Sequence, residues 1–267
     1  MRRDEDQLIH EKITVANGGP RTSRQRLLKL LTNTLSTYNA TVISGRAGTG
    51  KTNLTADFAR RAKRPVCWYK VDAADGEFSV FCRYLTATLR LQCPSLDGYH
   101  LLKITESVES DRAELLAEAL VFQLTEHRTE PLLVIIEDLH LVYDADWVIP
   151  FFHRLLPLLP SEVHVIITCR SLPPTPLWRL RSKQMLRVIE EAELAFNFDE
   201  TLELFQTYGL SEEHARIALR ETNGRAAAIA NFAATPGRAG RAVADNFLAI
   251  ESRQMNCLGQ RTPDFQT

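Results

Sequence analysis

Through the first two-thirds of the chain, short unbroken apolar runs alternate with longer stretches whose apolar residues recur every three or four positions. The run 40–44 is rich in β-branched residues and is followed by a glycine, which predicts a buried strand. Residues 53–62 then read as a helix, Pro65 punctuates, and 66–71 reads as a second strand. Phe78, Phe81, Leu85 and Leu89 sit at helical spacing and predict a helix over 77–91. The segment 93–109 is mixed, turn-rich and without an assignable period. Asp111 reads as the cap of a helix running to about residue 126, with Leu115, Leu116, Ala119 and Phe122 on one face. Residues 132–136 are consecutive branched apolar side chains between Pro131 and two acids, the pattern of a central strand covered on both faces. The run 163–168 repeats that pattern, and 186–189 is a shorter fifth run.

From Asp199 onward the period is helical only. Residues 199–208 are stopped by Gly209, Ser211 reads as an N-cap with Glu212 and Glu213 in the first turn, and Gly224 separates that helix from one over 225–232. A last amphipathic stretch, 243–255, follows the turn at Pro236-Gly237. Such alternation predicts a three-layer αβα domain with a mostly parallel sheet, followed by a small all-α domain. The expected boundaries are 1–185 for the sheet domain, 186–236 for the helical one, and 237–267 for a tail or the start of a following module.

Composition narrows the function classes. The 267 residues carry 32 Lys+Arg against 33 Asp+Glu, so the net charge of −1 lacks the basic footprint of a dedicated nucleic-acid binder. No stretch approaches the ~20 apolar residues of a membrane span; the greasiest segment, 147–159, is interrupted by Pro150, His153, Arg154 and Pro157. The charged N-terminus has no apolar core behind it and is no signal peptide, which points to the cytoplasm. Five scattered cysteines without a C-x-x-C pair suggest neither a disulfide framework nor a thiolate metal site, and the seven histidines form no close ligand pair.

The sharpest signal is Gly45-Arg46-Ala47-Gly48-Thr49-Gly50-Lys51-Thr52, a full match to G-x-x-x-x-G-K-[ST] between a predicted strand and a predicted helix. A triphosphate needs several backbone N–H groups converging on it, so the chain must wrap around it, and glycines permit the required φ values. The helix beginning near Lys51 and Asn53 adds its N-terminal donors and positive dipole end. Lys51 is expected on the β- and γ-phosphates and the Thr52 hydroxyl on Mg²⁺. A chance match in a chain of this length is expected on the order of one time in a hundred from average usage.

Such a loop needs a second strand ending in an acid, and the run 132–136 supplies Glu137 and Asp138. One stands near the metal, directly or through water, and the other polarises the attacking water. Alternation of side chains puts only one of them directly toward the phosphates; Glu137 is assigned to the metal side and Asp138 to the water-polarising role, with the reverse assignment open. His140 would face the same side as Asp138 in an extended chain, as a hydrogen-bond partner or simply as a packed loop residue. Thr168 and Arg170 end the next strand, where a polar residue senses the γ-phosphate and an arginine neutralises charge developing in phosphoryl transfer.

Together these residues resemble the STAND class of P-loop ATPases, most closely the ATPase module of maltose-regulon-activator-type, large LuxR-family bacterial regulators. The resemblance also takes in Arg24-Gln25-Arg26-Leu27 ahead of the loop, Trp68 to Asp72 with Asp75 and Phe81 to Leu85, Glu137-Asp138-Leu139-His140, Cys169 to Pro174, Glu193 to Phe196, and Thr222-Asn223-Gly224. Two positions depart from the family pattern: Glu137 stands where Asp is usual, and Arg225-Ala226 stand where an aromatic residue and proline are usual near the adenine. The resemblance implies a switch binding ATP or ADP with Mg²⁺, ATP favouring a self-associating state, slow hydrolysis, a helical domain acting as a lid, and Arg24 lining the base end of the pocket. Family members continue into a winged-helix region, a helical-repeat sensor and a DNA-binding helix-turn-helix. This chain reaches Thr267 where the next module would begin, which suggests a piece of a longer regulator, a split gene product or a minimal standalone relative. DNA contact is then expected only through a module outside these residues, and Arg238, Arg241 and Arg253 are too sparse to replace one. A small-molecule kinase and a non-hydrolysing, nucleotide-bound interaction module are the competing readings; no acceptor-specific motif accompanies the loop.

Overall fold

The computed structural model describes residues 8–17, 22–106, 111–127 and 130–235. These fall into two compact units that divide between Leu194 and Ala195. The amphipathic stretch 243–255, the three arginines near it and Cys257 lie outside the described residues.

In the first unit the helices are α1 (Gln25–Thr37), α2 (Lys51–Arg61), α3 (Phe78–Gln92), α4 (Gly98–Thr105), α5 (Arg112–His127), α6 (Val148–Leu158), α7 (Thr175–Ser182) and the single turn α8 (Glu191–Leu194). The strands are β1 (Ala40–Ser44), β2 (Val66–Lys70), β3 (Leu132–Glu137), β4 (Val163–Cys169) and β5 (Leu186–Ile189). They form one sheet, all pairings parallel, in the order β2-β3-β4-β1-β5. The fold is the expected three-layer αβα arrangement. Because Leu186 pairs with Ala40 as an edge strand, the first unit runs through α8 rather than ending near residue 185.

Strand alternation divides the core into two layers. Leu132, Val134 and Ile136 face one side with Val42, Val165 and Ile167, where Phe81, Phe151 and Phe152 pack. Leu133 and Ile135 face the other with Ile43 and Ile166, covered by Leu27 and Leu31 of α1 and Leu54 and Phe58 of α2. Every residue of β1, β3 and β4 is buried, as a sheet covered on both faces requires. The N-terminal arm is tied in by Lys12, whose ammonium lies 2.6 Å from the buried Asp75 carboxylate and 4.0 Å from the centre of the Tyr84 ring. Asp75 in turn accepts the Asp72 N–H within a capping box, so the acids after β2 serve a turn here.

Two helical expectations need correction. α4 was not anticipated; its N-cap is Asp97, which accepts from the His100 N–H at 3.1 Å. On α5 the inner face is Ala113, Leu116, Ala117, Leu120 and Leu124, all buried, whereas Leu115 and Phe122 are exposed, Phe122 by 65%. The helix is apolar on two sides, so periodicity alone picked a stripe that straddles them.

The second unit holds α9 (Phe198–Gln206), α10 (Glu212–Thr222) and α11 (Ala226–Ala234) around Phe205, Ile217, Ile229 and Phe232. Asn197 and Glu200 form a capping box at the start of α9, a device worth about 1 kcal/mol. Ser211 precedes α10 as expected, but its hydroxyl pairs with His214 Nδ1 at 2.7 Å rather than with a backbone N–H. Gly224 has φ +73°, and a Cβ there would lie 2.5 Å from the Phe196 carbonyl oxygen, which is why the turn after α10 takes glycine.

Candidate functional site

At the carboxyl end of β1 the chain turns through residues 45–50 into α2. Gly48 and Gly50 have φ of +82° and +85°, which lets successive N–H groups turn inward ahead of the helix. Thr49 is buried and its hydroxyl donates to the Arg46 carbonyl at 2.9 Å, bracing the loop from within. The Lys51 ammonium donates to the Gly45 and Arg46 carbonyls at 2.5 and 3.1 Å, so it is folded back over the loop. Burial lowers its pKa, while Asp138 acts in the opposite sense. Thr52 and Asn53, in the first turn of α2, are exposed, and the first N–H groups of a helix lack intrahelical acceptors. Loop backbone donors, a lysine and a helix N-terminus thus lie together here, an arrangement with the chemistry to take a polyanion.

β4 lies between β1 and β3, which sets the acidic strand end one strand away from the loop. Glu137, the last residue of β3, is fully buried, with Oε1 3.3 Å from the Thr55 hydroxyl and no hydrogen-bond partner at Oε2. Burial pushes its pKa above the ordinary carboxylate value, the Thr52 hydroxyl works against that, and the neighbouring Asp138 adds to it. A buried carboxylate oxygen without a partner, beside the loop threonine, is the donor chemistry a hard divalent cation takes.

The chain does not stay extended after Glu137. Asp138 is left-handed (φ +56°), its N–H donates to the Thr168 hydroxyl at 3.0 Å, and a 3₁₀ turn begins at Leu139. His140 nevertheless lands near Asp138, with Nδ1 3.9 Å from Oδ1, because the turn rather than strand alternation brings it back. Burial lowers the His140 pKa against the pull of Asp138, which keeps the ring neutral at physiological pH. Arg170 is exposed at the end of β4, and its charge is felt at both Lys51 and His140. Lys51, Glu137, Asp138 and Arg170 therefore gather at the carboxyl end of the sheet. Arg24 is buried at the start of α1 and donates to the Leu194 carbonyl at 2.5 Å.

Two participants gave no sequence signal. Thr55, one turn beyond Thr52, reaches Glu137. Glu191, at the start of α8, grips Arg46 of the loop. A threonine mid-helix and a glutamate after an edge strand carry no motif, and only the fold brings them here.

A family model described as AAA ATPase domain matches residues 21–168. The HTH-type transcriptional regulator MalT of Serratia proteamaculans is 28% identical over 245 residues, covering 90% of this chain and 24% of the relative. MalT of Yersinia enterocolitica is 28% identical over 242 residues, again 90% of this chain and 24% of the relative. The chain thus spans about a quarter of the length of the curated relatives it matches. Among solved structures, the Orc1 protein of Aeropyrum pernix, determined in complex with DNA, aligns with a TM-score of 0.50 at 14% identity, over 92% of this chain and 70% of that one. At that identity the likeness concerns the fold alone.

Proposed function

The chain belongs to the AAA ATPase domain family, and on that premise we propose that it is the ATP-binding, slowly hydrolysing switch module of a bacterial regulatory protein, with ATP favouring a self-associating state. The observation that carries this reading is the joint placement of a phosphate loop with Lys51 and a fully buried Glu137 carboxylate beside Thr52 and Thr55. In this reading Lys51 leaves the Gly45 carbonyl for the β- and γ-phosphates, and the N–H groups of residues 48–53 hold the remaining phosphate oxygens. Mg²⁺, held by Thr52 and by Glu137 directly or through water, supplies charge neutralisation when bound. Asp138, kept in place by the Thr168 hydroxyl, orients and polarises the attacking water. Arg170 offsets negative charge that builds up in the transition state, and Arg24 lines the base end. DNA recognition falls to a separate module in this picture.

The test is isothermal titration of ATP and ADP with and without Mg²⁺, alongside sizing in each nucleotide state. Nucleotide binding that Lys51→Ala weakens about a hundredfold, and a larger species with ATP than with ADP, are expected. A Lys51→Ala protein that binds ATP as tightly as wild type would overturn the reading.

A further inference from the structure

The first turn of the phosphate loop is clamped from outside the motif. Glu191 Oε2 accepts the Arg46 backbone N–H at 3.0 Å, while Oε1 accepts from Arg46 Nε at 3.0 Å and Nη2 at 2.7 Å. One carboxylate therefore chelates both the main chain and the guanidinium of a single residue, a charge-assisted geometry more directional than an ordinary surface pair. α8, which carries Glu191, is itself fastened to the start of α1: Arg24 donates to the Leu194 carbonyl at 2.5 Å and Arg26 to the Glu193 carbonyl at 2.9 Å. The packing is close, since a Cβ on Gly45 would stand 3.3 Å from Leu194 Cδ1 and 3.5 Å from Glu191 Cβ.

We propose that Glu191 is a positioning residue for nucleotide binding: by chelating Arg46 it fixes the first turn of the phosphate loop against α8 in the form that accepts phosphate. The inference rests on the reading of this loop as a nucleotide site. It has a counterintuitive consequence, because charge and geometry predict opposite signs. The Glu191 carboxylate is close enough for its charge to be felt at Lys51. If charge alone mattered, removing Glu191 would make the site more positive and tighten phosphate binding, while removing Arg46 would loosen it. Under the clamp, losing Glu191 frees the loop, losing the Arg46 guanidinium loosens it in part because the backbone N–H of residue 46 still reaches Glu191, and losing both costs no more than losing Glu191 alone.

The experiment is ADP titration with Mg²⁺ on wild type, Glu191→Ala, Arg46→Ala and the double variant, with thermal melts of each. The expected result is a Kd weakened by about tenfold in Glu191→Ala, by a smaller factor in Arg46→Ala, and by the same factor of about ten in the double, with melting temperatures unchanged. Tighter or unaltered binding by Glu191→Ala overturns the proposal, and so does a double variant weakened by the product of the single effects. Amide hydrogen exchange without nucleotide gives a second readout. Residues 45–47 are expected to exchange about tenfold faster in Glu191→Ala than in wild type, and equal exchange overturns the clamp. Wild type failing to bind ADP at all would defeat the nucleotide reading instead, a distinct result, and the exchange measurement would still decide whether the clamp exists.

Discussion

Both ends of the sheet bury an ionisable side chain, and the two are treated differently. At the amino end, His164 of β4 has both ring nitrogens occupied: Nε2 lies 3.0 Å from the Thr41 hydroxyl and Nδ1 2.9 Å from the Tyr38 carbonyl. At the carboxyl end, Glu137 of β3 is equally buried yet has one oxygen 3.3 Å from Thr55 and the other without a partner. A buried polar group with complete hydrogen bonding is part of the scaffold. One left incomplete, with its charged form disfavoured by burial, marks where a ligand is expected to complete it.

The contrast can be broken most directly at Glu137. Glu137→Gln is expected to lower ATP hydrolysis by roughly 10²–10⁴-fold, measured by phosphate release, because the metal charge neutralisation it would support is worth several kcal/mol in the transition state, while leaving ATP binding in place. It is also expected to raise the melting temperature at pH 7 by about 2–4 °C, for each kcal/mol gained by removing a strained buried charge. The sign follows from the raised pKa: the carboxylate destabilises the wild type increasingly as pH rises above its ordinary 4.5, so the advantage of the variant disappears below that value. Next in size, Lys51→Ala is expected to weaken ATP binding by about a hundredfold in titration, since a charge-assisted contact to phosphate is lost.

His164→Gln sharpens the other side of the comparison. It is expected to cost about 1–3 kcal/mol in urea unfolding at pH 7 with no change in nucleotide affinity. Burial depresses the His164 pKa from 6.5 to about 4, so the neutral ring is the folded form. The wild type is expected to lose stability relative to that variant as pH falls from about 6.5 towards 4, with the difference constant above. The smallest effect belongs to Phe122→Ser on the outer side of α5, expected within about 0.5 kcal/mol in stability and silent in nucleotide binding.

The strands were legible because each is a short apolar run covered on both faces, so 40–44 and 186–189 coincide with β1 and β5. The phosphate loop was legible because its chemistry is written in backbone geometry, and Gly48 and Gly50 occupy the conformations that only glycine takes freely. α5 was misread because its second apolar side, with Leu115 and Phe122, is indistinguishable in sequence from a core-facing one. His140 ended near Asp138 through a left-handed residue that no periodicity encodes. Glu191 was invisible for a simpler reason: its partner Arg46 lies 145 residues earlier, and nothing local in either sequence names the other.

The strand order also has a consequence for how the chain comes to be folded. β1 is made early but pairs only with strands made late: Val42 lies beside Ile167 on one edge and Val188 on the other. At about 5–20 residues per second of synthesis, β1 waits on the order of ten seconds for its neighbours. Until then the apolar strand ahead of the phosphate loop has no sheet to enter, and contacts of such long range are the slow ones to form. On the ribosome, competence to bind a nucleotide is therefore expected to appear abruptly and late, once Ile189 has emerged, rather than growing with chain length.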